Sequence, residues 1–354
     1  MSVAVDTGKH GLTVGRPGLK SAGPLAFGPN GILFVADNVQ ATVFAIDVDD
    51  TDAAVEAEPI NVENLDTRLA VYLGCAREDV AIKDMAVHPW SQNVYLSVMR
   101  GSGDAAIPLI VKIGVDGTLA ETPLEDVPFS RTTIMNAPNP DAGADDDPVR
   151  AARNRERNVA ITDLAYVDGV LLVAGASNEE FVSNLRRIPF PFDGGVESSS
   201  LEIYHVSHSR YETHAPIRTF MPYGGNSSIL ASYTCTPVVH FSLSDIGSAS
   251  QLKGRTVAEL GSGNTPVDIL SYKRDGQEFL LVSNTKHPLM KLACRDVDRQ
   301  EGLTQPKQPR GVPREELPHQ GVSHMANLNA SYVLMMQQDE AANVHLRSYS
   351  SASL

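Results

Sequence analysis

The stretch GPLAFGPNGILFVADN, residues 23–38, sets two short apolar runs around a PNG turn and ends in a polar pair. Short apolar runs bounded by Gly, Pro, Asn and Asp are the mark of β-strands joined by tight turns. The form returns in DMAVHPWSQNVYLSVMRG, DLAYVDGVLLVAGASN, RTFMPYGGNSSILASYTCT, DILSYKRDGQEFLLVSNTK and HMANLNASYVLMMQQDE. With Pro24, Asp84, Asp163, Arg218, Asp268 and His324 as phase markers, successive copies lie 60, 79, 55, 50 and 56 residues apart.

Each copy continues into a third run: TVFAIDV, PLIVKIGV, NLRRIPF, PVVHFSLS, PLMKLAC and NVHLRSY. A fourth follows in most, such as TRLAVYLG, LEIYHVSH and GRTVAELG. Helical periodicity over a long window is almost absent. Four short strands per repeat predict an all-β, six-bladed β-propeller in one domain. The expected blades span residues 20–75, 80–126, 160–208, 214–261, 264–297 and 321–350. The last lacks a fourth run, and GLTVGRP at 11–17 is unassigned, so that N-terminal strand is expected to complete it and close the ring.

Bulk properties narrow the function. The net charge of −14 disfavours nucleic acid and anionic lipid as partners, and no apolar run is long enough to span a bilayer. Three cysteines without CxxC spacing, and no signal-peptide pattern at the N-terminus, point to the cytoplasm, with a removed leader as the alternative. GxSxG, HExxH and the phosphate-binding GxxxxGK[ST] patterns are missing. With one tryptophan and no dinucleotide fingerprint, neither a quinone nor a nucleotide cofactor is expected.

In a propeller the innermost strands begin at one mouth of the central channel, so the phase markers should form a ring there. Three carboxylates and an imidazole, Asp84, Asp163, Asp268 and His324, suit a divalent cation such as Ca²⁺, Mg²⁺, Mn²⁺ or Fe²⁺. The competing reading is that each Asp accepts backbone N–H groups of a neighbouring loop. Arg218, Lys286 and His287 bring positive or titratable groups to the mouth and are candidate catalytic residues. Arg100, Asn178, Glu179, Asn284 and Gln338 sit in the returning loops and are candidate substrate contacts. Cys235 reads as an inert thiol, because no base is adjacent. Segments 135–158 and 298–320, rich in Pro and charge, are expected on the same face.

GPLAFGPNGILFVADN resembles the blade pattern of the NHL and SMP-30/gluconolactonase superfamily of six-bladed propellers. That resemblance implies a metal-dependent hydrolase. In the family a Glu just before the first GP contributes to the metal site; here Ala22 stands there. The later Asn and Asp of the family pattern correspond to Thr265 or Pro266 and to Ser283 or Asn284. Two readings follow. The channel binds a small molecule, in its most concrete form as a metal-assisted hydrolase or lyase. Alternatively the protein is a non-catalytic scaffold whose mouth loops dock a protein partner.

Overall fold

The computed structural model describes residues 9–54, 58–140, 157–179, 181–206, 209–212, 216–233, 237–261, 263–304 and 311–354. Six sheets form the six blades of a β-propeller. Numbered by the chain order of their inner strands, blades 1 to 6 begin at Leu25–Phe27, Val80–Val87, Asp163–Val167, Ile217–Tyr223, Pro266–Arg274 and Val322–Asn327. In every blade the second and third strands pair antiparallel outward from the first, in the register that the PNG-type turns impose.

The second strands are buried nearly throughout, as in Ile32–Asp37 and Ser228–Tyr233. Such strands are covered on both faces, which explains their continuous apolar runs in place of alternation. Six apolar clusters fill the six gaps between neighbouring blades. They also reveal the order of the ring. Blade 1 packs on blade 3 through Phe34, Ile161 and Leu171, and on blade 2 through Leu33, Tyr95 and Ile110. Blade 2 in turn packs on blade 6 through Leu96, Leu334 and Leu346. Around the axis the order is therefore 2, 1, 3, 4, 5, 6, and chain order is broken once.

That exchange explains the corrections to the expected edges. Residues 60–62 leave blade 1 and reach the outer strand of blade 6, Val344–Ser350. The Val62 N–H donates to Leu346 O (2.8 Å) and the Leu346 N–H to Val62 O (2.9 Å), while Ile60 and Val62 are buried in the cluster between blades 2 and 6. Glu63 adds a bidentate pair with Arg347, at 3.0 and 2.8 Å. This segment, not GLTVGRP, supplies the missing edge of the last blade. Thr13–Gly15 instead pairs with Val127–Thr133, which returns after blade 2 to form the fourth strand of blade 1. Leu12 anchors it there, buried among the residues of the cluster between blades 1 and 3.

TRLAVYLG, expected as a strand, belongs to the helix Leu65–Leu73. Leu65, Leu69 and Leu73 recur at a helical spacing and are buried, and Gly74 ends the helix in the left-handed region (φ 64°). Segment 298–320 also departs from expectation. Arg314–Glu316 forms the fourth strand of blade 5, and Leu303 and Val312 hydrogen-bond to the outer strand of blade 4, Arg255–Glu259. Among the described residues no helix is long and apolar enough to cross a membrane.

Candidate functional site

Four inner strands carry the same irregularity at their heads. The register slips by one residue between Ile82 and Asp84, Ile217 and Thr219, Pro266 and Asp268, and Val322 and His324. Each is a β-bulge, which re-aims side chains at the rim of a sheet. The bulged residues are Lys83, Arg218, Val267 and Ser323. The residues after them, Asp84, Thr219, Asp268 and His324, join Asp163 and Pro24 in a ring one layer deeper.

Around this ring the three aspartates occupy alternate blades: 2, 3 and 5. Each uses its carboxylate in the same way. One oxygen accepts the N–H of its own next residue: Met85 to Asp84, Leu164 to Asp163 and Ile269 to Asp268, at 2.7 to 2.8 Å. The other accepts an N–H from the next blade: Leu25 to Asp84 (2.7 Å), Phe220 to Asp163 (2.8 Å) and Met325 to Asp268 (2.5 Å). The remaining interfaces are tied differently. Asn38 bonds both backbone groups of Ile161, Thr219 lies 3.4 Å from Asp268 Oδ1, and His324 Nε2 lies 3.1 Å from Lys83 O.

Burial raises the pKa of all three carboxylates. Asp84 is pushed up to about 6, against the lowering effect of the Leu25 and Met85 N–H groups and of Arg218. Asp163 is pushed up to about 7, by burial first and then by the charge of Asp84. Asp268 is also raised by burial, with Asp163 and Asp84 adding to the shift and His324 opposing it. Burial lowers the pKa of His324, against the raising effects of Asp268 and of the bond to Lys83 O. A carbonyl can only accept, so Nε2 carries the proton given to Lys83 O, and Nδ1 is left to the Ser323 hydroxyl at 3.1 Å.

These contacts bear directly on a metal. Each oxygen of every aspartate already accepts one backbone N–H, and His324 Nε2 is bonded to Lys83 O. Among the described residues no three His, Cys, Asp or Glu side chains gather as a ligand set. Each carboxylate oxygen keeps a second lone pair, so a cation on Asp84, Asp163 and Asp268 would share these oxygens with the backbone N–H groups, while His324 would have to give up its bond to Lys83 O to ligate through Nε2.

Above the ring opens a cavity of about 920 Å³. All six phase markers, Pro24, Asp84, Asp163, Arg218, Asp268 and His324, line it, although Arg218 stands at the bulge and Thr219 takes its expected place in the ring. Lys83, Thr219, Glu78, Met99 and Asn158 complete much of its wall. The described end of segment 135–158 lies beside it: Arg157 donates to Val39 O (2.8 Å) and Pro138 O (2.9 Å).

The returning loops contribute less than expected. Arg100 turns away and donates to Leu73 O (3.2 Å), although its neighbours Met99 and Gly101 line the cavity. Glu179 accepts from Asn136 and Ser200, and Asn178 N–H bonds Asn136 O, which fastens a loop of blade 3. Asn284 is buried and bonded to Asn264, Val282 O and Pro288 O. Lys286 and His287 pack on the loop before blade 5, against Gly263 and Gly261. Gln338 lines a separate hollow with Asp339 and Arg347. Cys235 lies outside the described residues.

Sequence reasoning missed Lys83 and Thr219. The signal was there. An apolar residue stands two places before each ring residue: Ile82, Ile161, Ile217, Pro266 and Val322. Aligning on it puts Thr219 in the ring and Arg218, with Lys83, one layer above.

No family model matches the chain, and no curated protein matches it. Solved structures similar to it include a streptogramin B lyase structure, 8% identical with a TM-score of 0.42 over 96% of this chain and 97% of that one. A putative oxidoreductase (glucose dehydrogenase) from Thermus thermophilus is 13% identical, with a TM-score of 0.37 over 96% and 100%. The Myceliophthora thermophila Cps50 (Swd1) β-propeller domain is 12% identical, with a TM-score of 0.41 over 93% and 83%. The residues of the mouth, not these likenesses, carry the functional reading.

Proposed function

We propose that this propeller binds a small molecule in the channel-mouth cavity and moves a proton on it, as a hydrolase or lyase does. The observation that carries the reading is the cavity itself. At about 920 Å³, walled by the rigid heads of all six inner strands, it has the size of small-molecule sites and gathers titratable groups in a concave space. Asp163 is the proton-transfer group. With a pKa near 7 it is populated in both forms at neutral pH, which suits a general acid or base. Arg218 and Lys83 supply positive charge where an oxyanion would form. The resemblance of blade 1 to the SMP-30-like hydrolases accords with this chemistry, while Ala22 removes one of that family's metal-binding carboxylates.

No step is routed through a metal. A divalent cation on Asp84, Asp163, Asp268 and His324 is a separate proposal, tested by metal analysis of protein purified with Ca²⁺, Mg²⁺, Mn²⁺ or Fe²⁺. Retention of one equivalent that Asp163→Asn abolishes would establish it. The site reading is tested by amide chemical shifts on adding a library of small polar molecules. Perturbations should concentrate at residues 82–84, 162–163, 218–219, 268 and 324. A protein partner whose addition shifts only the outer loops, with no small molecule reaching these residues, would replace the reading by the scaffold. An ester and lactone panel then tests catalysis, and Asp163→Asn should lose most of any turnover found.

A further inference from the structure

The two cations at the mouth stand out in a chain of net charge −14. Lys83 and Arg218 are exposed bulge residues on blades 2 and 4, which face each other across the ring. Neither has an ion-pair partner within 4 Å among the described residues, although four acidic side chains line the same cavity. Arg218 reaches far enough over the channel to act on both Asp84 and His324, from blades 2 and 6. Its side chain lines the cavity.

The rest of the lining decides what an anion there would look like. Pro24, Ile82, Met99 and Val267 present apolar surface to the same cavity. The floor is the ring of aspartates, whose negative charge opposes a second anionic group. A dianion would meet more repulsion from that floor than a monoanion, because the Coulomb energy scales with charge. Gly101, Ser102 and Gly103 also line the wall, at the start of the three-residue turn of 3-10 helix Gly103–Ala105, which is too short to build up a helix dipole, so inorganic phosphate is the direct control for the anion class.

We propose that the cavity takes a small organic carboxylate, its anionic end between Lys83 and Arg218 and its apolar body against Ile82, Met99 and Val267. The inference rests on the small-molecule reading above and goes further by fixing the ligand class. Calorimetric titration of the intact protein with three probes tests it: benzoate, benzyl alcohol and inorganic phosphate. Benzoate has both the charge and the apolar body, and each of the others has only one.

Benzoate should bind about tenfold tighter than either control, a difference of roughly 1.4 kcal/mol. Lys83→Gln and Arg218→Gln should each weaken benzoate about tenfold and leave benzyl alcohol unchanged, as expected for loss of a charge-assisted bond. Both side chains are exposed, so the unliganded variants should melt with the parent, which separates loss of the site from loss of the fold. Phosphate binding as tightly as benzoate would overturn the inference, and so would variants that bind benzoate normally. If benzyl alcohol matches benzoate, the carboxylate class fails while the small-molecule cavity stands. If none of the three binds, the carboxylate class fails, and the shift-mapping library decides the cavity independently.

Discussion

Asp163 shows how a single residue in this ring is held. Its Oδ1 serves the Leu164 N–H, and its Oδ2 serves both the Phe220 N–H and the Thr219 hydroxyl at 2.9 Å. An asparagine there has one acceptor oxygen and one NH₂ group, so it can face only one of the two backbone donors correctly. The other N–H is left without an acceptor and looks at a second donor. Asp163→Asn should therefore lower stability by about 1–3 kcal/mol, the usual cost of an unsatisfied buried group. Thr219→Val, which removes only one of three contacts, should cost about 1 kcal/mol or less. Urea midpoints at pH 8, where Asp163 is ionised, compare the two. Equal midpoints for Asp163→Asn and the parent would mean that the carboxylate does not tie blade 3 to blade 4.

At the scale of elements, closure is the feature that separates this chain from a simple repeat. Val62→Pro removes the N–H that donates to Leu346 O and bars the paired geometry on its side. It should cost at least the roughly 0.5–1.5 kcal/mol of the lost hydrogen bond and lower the melting midpoint of the whole domain, because it frees the edge of blade 6. Deleting residues 1–15 removes a fifth strand outside an already complete blade 1, so its midpoint should fall less. The reverse ranking would return ring closure to the N-terminal strand.

The blades themselves were legible in the sequence, because turn residues punctuate each inner hairpin and those hairpins are local. The ring of Pro24, Asp84, Asp163, Asp268 and His324 was legible for the same reason. The swapped position of blades 1 and 2 was not. It is decided by which apolar faces meet, such as Leu96 against Leu346 or Phe34 against Ile161, and no local pattern records that choice. The bulges were hidden too, since one extra residue shifts a marker by one place. Arg218 was assigned to the ring that Thr219 occupies for this reason.

The whole molecule carries the three aspartates as one pH-dependent element. Their folded pKa values lie above the ordinary carboxylate value, so the folded state holds protons more tightly than the unfolded chain. That stabilisation is fully present below about pH 4 and is lost as pH rises through 6 to 7. Across that window the melting midpoint should fall as pH increases. Self-repulsion within a chain of net charge −14 acts in the same direction, but it is spread over the surface and yields to salt. The ring carboxylates, half-buried and held by backbone N–H groups, are screened less. In about 0.5 M salt the parent should keep a falling midpoint between pH 5 and 8, while Asp163→Asn, which cannot ionise there, should show a shallower slope. A parent curve that salt flattens completely, or a variant with the parent's slope, would assign the effect to surface charge and remove the ring from the pH response.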